Sequence, residues 1–176
     1  MKITFIRHTS VAVPPGICYG QSDIEVAETF ETEALQVLGK IKDKSFDAVY
    51  SSPLRRCTKL ADYCGFTNPV TDERLMELNF GDWEMQAWDN IVDPQLQIWF
   101  NNWVDEQPTN GESFAEQVMR VGEFLDELRN RSCQQVLVFT HAGIIRATAI
   151  SLGLIEINQA FSDYKVDYGG IFNFAI

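Results

Sequence analysis

The chain has 176 residues, 45% of them hydrophobic and 22% charged, the balance of a single globular domain over 1–176 with a core of its own, not of a disordered chain. Its 14 Lys and Arg against 25 Asp and Glu leave a net charge of −11, which argues against nucleic-acid binding because a phosphate backbone rewards a basic surface. No apolar run approaches ~18 residues and Met1 to His8 is too short for a signal peptide, so the expected setting is cytoplasmic and away from membranes.

Lys2 to Ile6 is a short apolar run with β-branched residues and predicts a buried first strand. Pro14-Pro15-Gly16 and Gly20 mark a loop, after which Ala27, Phe30, Ala34, Val37, Leu38 and Ile41 recur at helical spacing. Asp47 to Tyr50 reads as a second strand. Ser52-Pro53 then predicts an N-cap and a first-turn proline for a helix running towards Cys64. Pro69 to Thr71 is a third, shorter strand. From Arg74 to Gly111 the chain is irregular and holds all four tryptophans, Trp83, Trp88, Trp99 and Trp103. Packing on the sheet is the favoured reading for them, with an aromatic wall for a ligand as the alternative. Ser113 and Glu116 form a capping box ahead of a helix carrying Phe114, Val118, Val121, Leu125 and Leu128. Gln135 to Phe139 is a buried strand, followed by Thr140-His141-Ala142-Gly143, a helix to Leu152 and a last strand from Gly170 to Ala175. Alternating strands and helices predict an α/β fold with a mainly parallel sheet.

In such sheets ligands bind beyond the carboxyl ends of the strands. Three of those ends carry Arg7-His8, Ser51-Ser52 and Thr140-His141. Singly, each has a plain explanation: a solvated strand end, an ordinary cap, a core histidine. Together they bring both histidines of the chain to one edge, with Arg7 and with Arg55 at the start of a helix whose free amides favour anions. Cys18, Cys57, Cys64 and Cys133 have no metal-type spacing and are expected as reduced thiols.

These residues resemble the histidine phosphatase superfamily, the phosphoglycerate-mutase-like enzymes. Arg7-His8-Thr9 is similar to the family's Arg-His-Gly, Ser52-Pro53-Leu54-Arg55 to its Ser-x-Leu-x-Arg segment, Glu77 and Gly81-Asp82-Trp83-Glu84 to its acid before Gly-x-Trp-Glu, and His141-Ala142-Gly143 to its late histidine. The resemblance spans nearly the whole chain. It implies a three-layer α/β/α sandwich and a phosphomonoesterase working through a phosphohistidine without metal or other cofactor. His8 is then the nucleophile and Glu77 the general acid and base. Arg7, Arg55, His141, Ala142 and Ser10 are then the phosphate ligands, with Arg74 and Arg146 as further candidates for a cationic cleft and Arg146 weighed towards a structural ion pair. Gly16 to Asp23 further resembles the α-ribazole phosphatase branch of cobalamin biosynthesis, which makes Tyr19, Gly20 and Gln21 the expected substrate contacts. Two positions depart from the pattern. Thr9 replaces the family glycine, a strained choice if that backbone needs positive φ, and Val11 stands where relatives place a hydroxyl or an asparagine. The alternatives are a phosphoglycerate mutase, whose insertion after the Glu77 position is longer, a broad-specificity small-molecule phosphatase, and an inactive phosphate-binding regulatory module. The expected partner is a small phosphomonoester, with a homodimer open as an assembly state.

Overall fold

The computed structural model describes all residues, Met1–Ile176. In chain order the main elements are β1 (Lys2–Arg7), α1 (Phe30–Ile41), β2 (Ala48–Ser51), α2 (Arg55–Tyr63), β3 (Val70–Thr71), α3 (Pro94–Asn101), α4 (Phe114–Arg129), β4 (Gln135–Thr140), α5 (Ala142–Ser151) and β5 (Ile171–Ala175). They build one five-stranded sheet in the order β3-β2-β4-β1-β5, with β5 alone antiparallel.

Alternation along the central strands makes the layers. Ile3, Phe5, Val136 and Val138 face one way and pack with Val121, Phe124, Ile144 and Ile145 of α4 and α5. Ile6, Leu137 and Phe139 face the other way, onto Val37 of α1 and Cys57 and Leu60 of α2. The result is the three-layer sandwich. Complete burial of side chains of this size contributes roughly 1.5–3 kcal/mol each, so the two faces of β1 and β4 anchor the molecule. A smaller cluster of Cys18, Trp83 and Ile91, joined by Phe80, Trp88 and Trp99, sits under the loops outside the sheet.

Two boundaries position the site. β1 and β4 are adjacent and parallel with Arg7 opposite Thr140, so His8 and His141 leave the sheet side by side. The helix predicted from Ser52 begins instead at Arg55, after an extended Leu54 with no side-chain cap. Pro53 disfavours helical backbone at Ser52, and the Ser52 Oγ accepts from the Leu54 amide at 3.3 Å and from His141 Nε2 at 2.8 Å, so it caps no amide of the helix itself. The capping box forms as expected, Ser113 Oγ accepting from Glu116 N at 3.2 Å while Glu116 Oε2 accepts from Ser113 N at 2.7 Å.

Candidate active site

The His8 amide donates to the Thr140 carbonyl at 2.9 Å, and the two histidine rings stand 5.1 Å apart, edge to face. His8 Nδ1 lies 2.7 Å from the Thr9 carbonyl, so Nδ1 carries the proton and Nε2 keeps its lone pair. Burial, then the charges of Arg56 and Arg7, hold the His8 pKa well below its ordinary value against the opposing bond to Thr9. The ring is therefore neutral. His141 is held neutral by burial first and Arg56 second. Arg56 Nε donates to its Nδ1 at 3.3 Å, which leaves Nε2–H to donate to Ser52 Oγ at 2.8 Å. Both nitrogens of His141 thus have partners, and its ring stands directly against that of His8. Cys57 Sγ sits 3.5 Å from His141 Nε2, but burial pushes its thiol up to about 12, which removes it as a competing nucleophile.

The arginines correct the reading of the sequence. Arg55 does not reach the histidines: it is exposed and ion-paired with Glu25 and Asp23. Its neighbour Arg56 is wholly buried, and its Nη atoms donate to the carbonyls of Gly20 at 2.5 Å and Ser22 at 2.8 Å. The late start of α2 explains the exchange. With about 100° of rotation per residue, the buried stripe Arg56, Cys57, Leu60, Ala61 faces the sheet and Arg55 faces water. Arg74 pairs with Asp72 and Glu127 and adds nothing to the cleft. Arg146, expected in an ion pair, has no acidic partner; its Nε donates to the carbonyls of Ala160 and Tyr164 at 2.9 and 3.3 Å. Arg55, Arg74, Arg120, Arg129 and Arg131 all form ion pairs, while Arg7, Arg56 and Arg146 form none.

Glu77 sits in a socket of N–H donors. Its Oε1 accepts from Leu78 N at 2.9 Å and Gln117 Nε2 at 3.1 Å, and its Oε2 from Gly143 N at 3.1 Å. Arg120, paired with Glu112, ties the backbone down by donating to the carbonyls of Arg74 and Glu77. Arg7, His8, Tyr19, Glu77, Gln117, Gly143 and Arg146 line a pocket of about 140 Å³, closed by Leu78, Phe80 and Phe161.

The other expected contacts divide. Tyr19 lines that pocket and meets Tyr168 hydroxyl to hydroxyl at 2.8 Å, while the Tyr168 ring lies 3.7 Å from the Arg7 guanidinium. Gly20 approaches the Leu78 carbonyl so closely that a Cβ there would lie 1.8 Å from it, and its own carbonyl serves Arg56. Gln21 holds Glu84 and the Glu77 carbonyl. Gly20 and Gln21 therefore shape the wall and do not line the cavity. The Ser10 amide is taken by Glu33 at 2.8 Å, and Gly143 lines the pocket in place of Ala142. Thr9 is unstrained, since the only non-glycine residues at positive φ are Met85 and Asn110, and Val11 bridges to Val26. Trp83 is core, with Nε1 donating to Asp93 at 2.7 Å, whereas Trp88, Trp99 and Trp103 line a second, larger cavity. Sequence reasoning missed Arg56, Gln117, Arg120 and Tyr168. Only Arg56 carried a signal, the apolar stripe of α2 read back one turn from Leu60.

The family model of the histidine phosphatase superfamily (branch 1) matches residues 3–173. The adenosylcobalamin/α-ribazole phosphatase of Salmonella typhimurium is 29% identical over 153 residues, covering 82% of this chain and 76% of its own. Phosphoserine phosphatase 1 of Hydrogenobacter thermophilus is 26% identical over 172 residues, 92% of this chain and 81% of its own. The crystal structure of the α-ribazole phosphatase from Shigella flexneri superposes with a TM-score of 0.91 at 25% identity, over 100% of this chain and 91% of that one.

Proposed function

The chain belongs to the histidine phosphatase superfamily, and from that premise we propose that it hydrolyses a small phosphomonoester through a phosphohistidine on His8, with α-ribazole 5′-phosphate as its substrate. One observation carries the chemistry. In a chain of net charge −11, the three arginines without an acidic partner are the ones gathered around His8 and His141. Arg7 and Arg146 line the pocket, and Arg56 donates to His141. That local field draws in an anion which the molecule as a whole repels.

In the first step the Nε2 lone pair of His8 attacks phosphorus as the ester P–O bond breaks, and the departing oxygen takes a proton from Glu77. The carboxyl has capacity for that proton on Oε2, which accepts one N–H against two on Oε1. In the second step Glu77 takes a proton from water, the water oxygen bonds to phosphorus and the N–P bond breaks. Arginine and amide donors stabilise charge on the equatorial oxygens throughout.

The α-ribazole assignment is supported by the relatives that carry that name and by aromatic groups beside the pocket. Acid-quench trapping with labelled α-ribazole 5′-phosphate tests both parts. Wild type should accumulate an acid-labile phosphoenzyme and His8→Ala none, with turnover lost. The value of kcat/KM should exceed that for 3-phosphoglycerate by at least ~10²-fold, about 2.7 kcal/mol. Turnover persisting in His8→Ala defeats the mechanism; equal values for the two esters defeat only the substrate.

A further inference from the structure

An arginine that is to meet a phosphoryl group has to be held in one orientation, yet a carboxylate holding it would cancel its charge and occupy its N–H groups. The three arginines around the histidines are held another way, each by an aromatic ring and main-chain carbonyls. The Arg7 guanidinium lies 3.7 Å from the centroid of the Tyr168 ring, and its Nη1 donates to the Val166 carbonyl at 2.6 Å. Arg146 lies 4.8 Å from the Phe161 ring and donates to the carbonyls of Ala160 and Tyr164. Arg56 lies 5.7 Å from the Tyr19 ring and donates to those of Gly20 and Ser22. The contact at Arg7 is the closest of the three.

The segment that carries Tyr168 is fastened to the end of β1. The Arg7 amide donates to the Gly170 carbonyl at 3.0 Å, and the Gly169 amide to the His8 carbonyl at 3.1 Å. Gly169 takes a φ of +62°, a turn that suits glycine. Asp167, the acid next to Tyr168, pairs with Lys165 and leaves Arg7 its full charge. Arg7 Nε is buried with no acceptor, so the plane of the guanidinium is fixed by one carbonyl and the ring. The Tyr168 hydroxyl meets that of Tyr19 at 2.8 Å, which joins the ring over Arg7 to the ring beside Arg56.

We propose that Tyr168 is a positioning residue for phosphate binding, whose ring holds the Arg7 guanidinium in the plane that presents its remaining N–H groups to the pocket. The proposal rests on the phosphomonoesterase reading of that pocket and adds the residue that aims its first arginine. The negative face of the ring attracts the cation and covers one side of it while consuming none of its donors. A leucine in the same place covers that side but neither attracts the charge nor restricts the plane. The hydroxyl has the lesser task, since one neutral hydrogen bond between two side chains contributes little beside the stack.

Titration calorimetry with inorganic phosphate tests this, because it reads binding apart from turnover. Tyr168 is 40% exposed, so its replacement opens no core. Tyr168→Leu should weaken phosphate about 10-fold, whereas Tyr168→Phe, which keeps the ring, should stay within about 3-fold of wild type. In an Arg7→Ala background the further change Tyr168→Leu should alter the affinity by less than about 2-fold, since the ring then has no guanidinium to hold. Should the leucine variant fail to fold, Tyr168→Met gives the same comparison. Wild-type affinity in Tyr168→Leu overturns the proposal, as does a loss of equal size with and without Arg7. A loss in Tyr168→Phe as deep as in Tyr168→Leu assigns the effect to the hydroxyl and also overturns it. Phosphate binding that follows the expected pattern, with no phosphate trapped on His8 during ester turnover, supports the positioning role and defeats the phosphohistidine mechanism alone. No phosphate binding to the wild type overturns both.

Discussion

A neutral imidazole is what phosphoryl transfer requires of His8, and Arg56 serves that requirement while fixing the second histidine. Its charge is one of the causes depressing both histidine pKa values, and its three donor nitrogens hold His141, Gly20 and Ser22 in one geometry. A lysine has no fork with which to meet three acceptors in different directions. Arg56→Ala should therefore lower kcat/KM by about 10²–10³-fold, with Arg56→Lys recovering only a small part. Arg55→Ala removes an exposed ion pair and should stay within about 3-fold of wild type. Steady-state rates on one ester for the three variants check this, and an Arg55→Ala loss as deep as that of Arg56→Ala would return Arg55 to the site. That Arg7, His8 and His141 come together was legible in the sequence because each adjoins the carboxyl end of a predicted strand, whereas Glu77 was singled out only by the family resemblance. Gln117 and Arg120 were not, since they lie inside an ordinary amphipathic helix and meet Glu77 only through tertiary packing.

Elements set these residues by where they begin. The strands, the capping box and the mainly parallel sheet followed from apolar runs and turn residues, but the start of α2 did not, and that start alone decides which of two adjacent arginines is buried. The start of α5 is as consequential. Gly143 lies in its first turn, its N–H donates to Glu77 Oε2, and a Cβ there would stand 2.1 Å from Glu77 Oε1. Helix propensity and function thus pull in opposite directions at this position. Gly143→Ala gains up to about 1 kcal/mol of helix propensity yet must push the carboxylate out of its socket. Thermal unfolding should show little change in Tm, while kcat on an alkyl ester falls by about 10²-fold. An alanine variant with full activity would mean that Glu77 need not occupy the observed position.

For the molecule as a whole, charge acts on two length scales. The surface carries the excess that makes −11, screened beyond about 8 Å at physiological salt. The interior holds the only two histidines, both fully buried and both kept neutral below their ordinary pKa. This arrangement has a consequence for stability. Above about pH 6.5 the imidazoles are neutral in folded and unfolded chains alike and cost nothing. As the pH falls below that value the unfolded chain binds two protons that the folded chain refuses, so stability falls with pH until the folded pKa values are reached. The slope approaches about 1.4 kcal/mol per pH unit for each histidine, about 2.7 for the pair. The carboxylates held down by hydrogen bonds and arginines, among them Asp72, Asp93 and Glu127, change stability in the same direction only nearer pH 4. The window from pH 6.5 to 5.5 therefore belongs to His8 and His141. Urea midpoints at 0.15 M salt should be level from pH 8 to 7 and drop steeply from 6.5 to 5.5, with close to two protons taken up per chain on unfolding at the lower limit. His8→Asn should halve that uptake. Midpoints that stay level down to pH 5.5 would mean that both imidazoles are protonated in the folded protein at that pH, and a protonated His8 has no lone pair with which to attack phosphorus.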